Sequence, residues 1–199
     1  MARTQAERRT TTRRALIDSA RALFAEQGYL GVRLEAIVAH AGVTRGALYH
    51  HFADKDALFR AVVEEIEGEL DGLVIGATRG ALEGGGDVLA AWLAGTDAYL
   101  DACLRLDVKQ ILLLDGPAVL GWESWHRLDA AHAVGEIEAG LTLLMEAGQM
   151  PPRPVRPLAH LLHGATLEAA LYVAAADDPR LARAEIGAGL ERLMRGLCR

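Results

Sequence analysis

Gly42-Val43-Thr44-Arg45-Gly46-Ala47-Leu48-Tyr49-His50-His51-Phe52-Ala53-Asp54-Lys55 holds two helix starts in close succession. Gly42 follows the apolar-periodic run Leu34–Ala41 and supplies the positive φ at which a helix stops. Thr44 is a side-chain cap for a new helix, and Asp54 for the next. The helix between them, Arg45 to about His51, is too short to stand alone in water, so its neighbours must hold it. Leu48 and Phe52, four apart, give it one apolar face to bury, with Val43 in the turn beside them. Its other face carries Arg45, Tyr49 and His50. A packed back with a cationic, aromatic front describes a helix presented to a partner, and a helix, short turn and second helix so equipped fit a DNA major groove.

Residues 12–60 resemble the TetR family of bacterial transcriptional repressors. The resemblance rests on Leu23-Phe24, Gly28-Tyr29, Ile37, Ala41-Gly42-Val43-Thr44, Gly46, Leu48-Tyr49, His51-Phe52, and Lys55 with Leu58, all at the family's spacing. It implies an all-α protein: an N-terminal three-helix helix-turn-helix DNA-binding domain over residues 1–56, joined through a long helix to a helical-bundle ligand-binding and dimerisation domain over residues 57–199. Arg33 and Glu35 depart from the family. Arg33 stands where a Thr or Ser usually caps the second helix, so that cap bond is lost, although a guanidinium still reaches a phosphate. Glu35 faces solvent or accepts from a cytosine amino group.

Composition agrees with helices. The chain has 199 residues, of which 51% are hydrophobic and 5% aromatic; it abounds in Ala and Leu, with few β-branched runs. Its net charge of −6 argues against a nucleic-acid partner until the charges are located. Residues 1–60 hold ten Lys/Arg against six Asp/Glu, whereas residues 61–199 hold eleven against twenty-one. The basic segment is the one that contains the short helix. The two cysteines, Cys103 and Cys198, read as reduced thiols in a cytoplasmic protein. No metal-ligand spacing, cofactor motif, signal peptide or membrane span is read from the sequence. The seven histidines are scattered, and no nucleophile–base pairing or phosphate loop is present, so an enzyme is not expected.

The chain opens with a polar arm, Met1–Thr12, whose Arg3, Arg8 and Arg9 suit a minor groove or phosphates, or a solvated tail. A first helix capped by Thr11 or Thr12 runs to about Gln27 and buries Leu16, Ala20, Leu23 and Phe24, with Ser19 at the edge of the stripe; a second spans Leu34–Ala41. The fourth runs from Lys55 past Glu69, to about Ile75, with Glu64, Glu65, Glu67 and Glu69 read as a solvated face, and Gly76, Gly80 and Gly84–Gly86 loosening the chain beyond it. Further helices are expected at Val88–Leu104 and Val108–Leu114, with a break at Asp115-Gly116-Pro117. A short helix carrying Trp122, Trp125 and His126 comes next, then one to about Gly148, and two final helices at Pro157–Ala176 and Pro179–Leu197.

At positions matching the family, Thr44 offers its hydroxyl and N–H to a phosphate, and Arg45 reads a base, guanine by preference. Gly46 admits the DNA backbone, Ala47 meets a thymine methyl, Tyr49 touches the sugar–phosphate chain, and His50 points into the groove. His51 contacts backbone or braces Lys55, itself a phosphate anchor. The family's last two helices pair with their two-fold mates. Here that places Leu161, Ala165, Ala169 and Tyr172 with Ile186, Leu190, Leu193 and Leu197 at a homodimer interface. Trp92, Tyr99, Trp122, Trp125, His126 and Met145 are candidates to line a pocket for a small apolar or amphipathic effector, or to pack as core. The resemblance thus implies a ligand-responsive, homodimeric, cytoplasmic repressor of a palindromic double-stranded DNA operator. The alternative is a helical small-molecule carrier or sensor that does not bind DNA.

Overall fold

The computed structural model describes residues 5–198; Arg3 of the expected arm lies outside them. The described residues form helices and connecting turns, with no strand among them. They divide into two compact units. One holds the chain up to Ile66 together with Leu106–Trp122; the other holds Glu67–Arg105 and Glu123 onward.

In the first unit, α1 (Gln5–Gly31) is followed by α2 (Leu34–His40) and α3 (Arg45–His51), and by the first part of α4 (Lys55–Glu83). α1 starts well before the expected threonine cap. Thr11 is not a cap: its hydroxyl donates to the Glu7 carbonyl at 2.8 Å, a bond made from within a helix. Arg8 and Arg9 are therefore exposed helical residues and not part of an extended arm. Gly28 kinks α1 at φ 67 and ψ 166, a conformation in which a side chain is strained. The kink turns Tyr29 inward, where its ring packs 5.1 Å from Phe59 and 5.8 Å from Phe24. Leu16, Ile17, Ala20, Ile37, Leu48, Leu58 and Val62 complete the core, with Ser19 buried among them.

Leu106–Trp122 belongs to this unit and is built as a π-helical stretch, Val108–Asp115, that leads into α6 (Gly116–Leu120). The expected break at Asp115–Pro117 is realised as a change of helix type, with Pro117 in the first turn of α6, where its missing N–H costs nothing. Two carboxylates fasten the segment to α1. Asp107 accepts from Arg21 Nη2 at 2.6 Å, and Asp115 accepts from the Tyr29 N–H at 2.7 Å, next to the kink.

The second unit contains the rest of α4, α5 (Val88–Ala102), α7 (Trp122–Glu146, from Glu123 on), α8 (Val155–Ala175) and α9 (Pro179–Leu197). α4 runs through Gly76 and Gly80 to Glu83, further than the glycines suggested. Packing outweighs their poor propensity of about 1 kcal/mol each: Gly95 of α5 brings the two helices so close that a Cβ there would lie 2.6 Å from Thr78 Oγ1. The Gly84–Gly86 run then ends it, with Gly85 at φ 87 and Gly86 N–H bonded to the Ala81 carbonyl. α7 is one helix where two were expected; the break falls before it, at Gly121 with φ 77. The acidic run on α4 is not uniformly solvated. Glu64 is exposed and Glu65 half-buried, but Glu67 is buried, because the 3.6-residue period turns it inward with Leu70.

Gly28→Ala should lower stability by about 1–3 kcal/mol, since alanine must adopt the kink's left-handed backbone beside the Gln110 side chain. An unchanged denaturant midpoint would show that the kink is not required.

Candidate nucleic-acid interface

α3 is set by its two ends. Thr44 is extended, at φ −86 and ψ 155, and its Oγ1 accepts from the Ala47 N–H at 3.2 Å. At the far end the Phe52 N–H donates to the Leu48 carbonyl at 2.9 Å and the chain turns extended again. Leu48 is fully buried and Phe52 nearly so, while the Arg13 guanidinium of α1 lies 5.4 Å from the Phe52 ring centroid. Asp54 Oδ1 accepts from the Ala57 N–H at 2.7 Å and starts α4. Arg33 occupies the N-cap of α2 with no side-chain cap bond, and is exposed.

Fixing the back of α3 fixes what its front offers. Thr44, Arg45, Gly46, Tyr49 and His50 are exposed; Ala47 and His51 are half-buried. Nothing lies within 4 Å of where a Gly46 Cβ would be, so the backbone there is open to a close approach. Arg45 is held from two sides: Nη1 lies 3.3 Å from Glu35 Oε1 on α2, and Nη2 donates to the Tyr49 hydroxyl at 3.3 Å. Both members of the ion pair are well exposed, so it adds little stability and its effect is to orient the guanidinium. Glu35, expected to face solvent or a base, thus meets Arg45. Burial first, then the neighbouring His50, Arg9 and Arg13, hold the His51 imidazole below its ordinary range. Lys55 is half-buried. Its Nζ donates to the Tyr29 carbonyl at 2.5 Å and sits 3.9 Å from the Tyr29 ring centroid, so this ammonium also fastens α4 to the α1 kink. Burial lowers its pKa.

In the second unit the candidate pocket residues part company. Trp92 lies against Gly140, whose Cβ would fall 2.6 Å from the ring, and with Met145 it packs on the core formed by Leu141, Leu144 and Leu162. Trp125 is fully buried, and Tyr99 and His126 are half-buried. Trp122 is 57% exposed and falls in the first unit, so it is not an interior residue of this bundle: the positive-φ Gly121 just before it starts α7 with the ring outside. On α8 and α9, Leu161, Tyr172 and Leu193 are exposed, and Ala165, Ile186, Leu190 and Leu197 are half-buried. Ala169 is 1% exposed and faces the unit's own core, on the row with Leu162 and Val173, which removes it from any outer stripe. α8 is long and apolar enough to pass for a membrane span by composition alone; its inner face is core, and its outer face carries the open stripe.

Comparison with known proteins agrees with this architecture. The description "Bacterial regulatory proteins, tetR family" matches residues 16–62, and "Tetracyclin repressor-like, C-terminal domain" matches residues 89–197. The crystal structure of a TetR-family transcriptional regulator from Pectobacterium atrosepticum is 35% identical with a TM-score of 0.86, covering 98% of both chains. The chain belongs to the TetR family. Among curated relatives of this TetR-family chain, the transposon Tn10 TetC protein of Escherichia coli is 27% identical over 84% of this chain and 83% of its own length. An HTH-type transcriptional repressor of Mycobacterium tuberculosis is 36% identical over 55% of this chain and 56% of its own length.

Three groups escaped the sequence reading. Arg13 and Asp115 sit at positions without periodic signal, and their roles come from tertiary packing. Glu67 was hidden inside an acidic run, although its position four before Asp71 and three before the buried Leu70 places it on the inward row. Burial first, then the charges of Asp129 and Asp71, push its carboxyl up to about 8. The folded protein therefore holds a proton that the unfolded chain has released. That contribution is complete below about pH 4.5 and gone above about pH 8. Wild-type stability should fall through this window, at up to about 1.4 kcal/mol per pH unit, relative to Glu67→Gln. Parallel stability–pH curves for the two proteins would contradict the assignment.

Proposed function

We propose that this TetR-family regulator is a homodimeric repressor that sets one α3 into each of two successive major grooves of a palindromic operator. A small molecule bound in the second unit releases it. The observation that carries the reading is the split of α3 into a fully buried Leu48 and an open face of Thr44, Arg45, Gly46 and Tyr49. Arg45, oriented by Glu35 and Tyr49, is the base reader. Thr44, Arg33 and Tyr49 contact phosphate or sugar, His50 and Ala47 meet the groove wall, and His51 and Lys55 hold the backbone contact at the far end. The DNA-binding function lies on residues 1–56 and the ligand and dimer functions on residues 57–199.

Dimerisation uses the stripe of Leu161, Ala165 and Tyr172 on α8 with Ile186, Leu190, Leu193 and Leu197 on α9. Exposed leucines and a tyrosine aligned along two adjacent helices are what a two-fold mate would cover. The pairing sets recognition helices roughly 34–36 Å apart. The effector has an apolar body and occupies the interior near Tyr99, Trp125 and His126. A coupling of about 1–3 kcal/mol between effector and operator changes affinity 5–150-fold. The protein acts in the cytoplasm, and no catalytic step enters the reading.

Random-site selection with the purified protein should enrich a palindrome. Arg45→Ala should then relax base preference at one position per half-site, with a loss of about 1–3 kcal/mol. Arg33→Ala should weaken all sequences alike and reduce the salt slope by about one. Failure to enrich a palindrome would favour a small-molecule carrier, and sequence-blind losses for both variants would remove Arg45 as the reader.

A further inference from the structure

The second unit buries an acidic group that its own side chains do not neutralise. Three carboxylates gather there from two helices: Glu67 and Asp71 on α4 and Asp129 on α7. Two have imidazole partners. Asp129 accepts from His163 Nε2 at 2.6 Å, and Asp71 from His132 Nδ1 at 2.6 Å. Glu67 is 4% exposed, and its Oε1 has no hydrogen-bond partner among the described residues. A buried carboxyl without a partner is costly in either protonation state, because an ionised group lacks a counter-charge and a neutral one lacks an acceptor or donor.

The surroundings carry the same sign. At the end of α5, Tyr99 and the buried Cys103 just beyond it interact through hydroxyl and thiol, and the acidic side chains that act on this pair are Glu67 and Asp129. Desolvation, then these acids, push the Cys103 thiol up to about 12. Desolvation also holds the Tyr99 hydroxyl well above its ordinary range, yet the residue keeps accessible surface. His126, edge-on to His163 with ring centroids 5.4 Å apart, adds a further ring to the same surroundings. Aromatic faces, a negative local potential and a buried orphan carboxyl favour a positive guest over a neutral or negative one.

We propose that Glu67 is the charge-recognition point of the effector site, and that the effector is an organic monocation, a protonated amine on an apolar body. This rests on the reading of the second unit as the effector-binding half and narrows the chemistry of its ligand. As the ammonium enters, the Glu67 carboxyl loses its proton to solvent and accepts from the ammonium N–H in its place. Asp129 and Asp71 keep their imidazole partners, so the incoming charge balances one carboxylate.

The test is calorimetric titration of the full-length protein with a graded set of aryl-alkyl amines (2-phenylethylamine, 3-phenylpropylamine, tryptamine), each beside its alcohol and carboxylate counterpart. At about pH 7 the amines should bind at least tenfold tighter than either counterpart. Titrations in buffers of different ionisation enthalpy should show release of nearly one proton per site, fading as the pH passes about 8. Glu67→Gln should abolish proton release and cost the amines at least tenfold, leaving the alcohols unchanged; proton release in the wild type stands as a readout even if the variant folds poorly. Equal or tighter binding of alcohols or carboxylates, amine binding without proton release, or no amine-selective response across the set would overturn the proposal. Operator selection on the unliganded wild type reads the repressor assignment separately, so either can fail alone.

Discussion

The burial of Leu48 and Phe52 is the constraint on which the open face of α3, the proposed DNA-facing surface, depends. Ordering a residue costs about 1–2 kcal/mol of backbone entropy, and a seven-residue helix cannot recover that from its few internal hydrogen bonds. Burying a leucine and a phenylalanine contributes about 1.5–3 kcal/mol each, and the Thr44 cap adds about 1 kcal/mol. α3 exists because the unit around it holds one side of it, and that same burial fixes the rotation that leaves Thr44, Arg45 and Tyr49 outward. Support and presentation are two consequences of one packing event.

Tyr29 is the second organising point. Its N–H is taken by Asp115, its carbonyl by Lys55, its hydroxyl by Asp56, and its ring by Phe24 and Phe59. Through it the kink of α1, the start of α4 and the π-helical segment share one junction. π-Helical turns are rare and often functional. This one is the chain's own detour: the backbone passes between the two units at residues 66–67, 105–106 and 122–123. Within the first unit, Asp107 and Asp115 tie this segment to Arg21 and to the Tyr29 N–H of α1.

Much of the first unit was legible because its signals are local. Gly42 at φ 65, the Thr44 cap, the Leu48 and Phe52 spacing and the Asp54 cap are each written within a few residues and are found as read. The helix limits of α9 were legible for the same reason, with Asp178 and Pro179 at its start. The errors fell where distant residues decide. Gly76 and Gly80 looked like breakers until α5 packed on their helix. Thr11 looked like a cap, although its hydroxyl bonds backward within α1. Glu35 is exposed as read, but its pairing with Arg45, ten residues on and on a different helix, has no local signal; Glu67 sits in a run of acids whose average is polar although one member turns inward. Charged residues on amphipathic helices are poorly read from composition, because one step of 100° separates solvent from core.

On the proposed reading, α3, held from behind, meets DNA from the major-groove side. Methylation interference on a bound duplex probes that directly, since guanine N7 faces the major groove and adenine N3 the minor. The expected pattern is interference by guanine N7 methylation at two half-sites about one helical turn apart. Interference confined to adenine N3, or none at any base of a bound duplex, would contradict the assignment of α3 as the reading element.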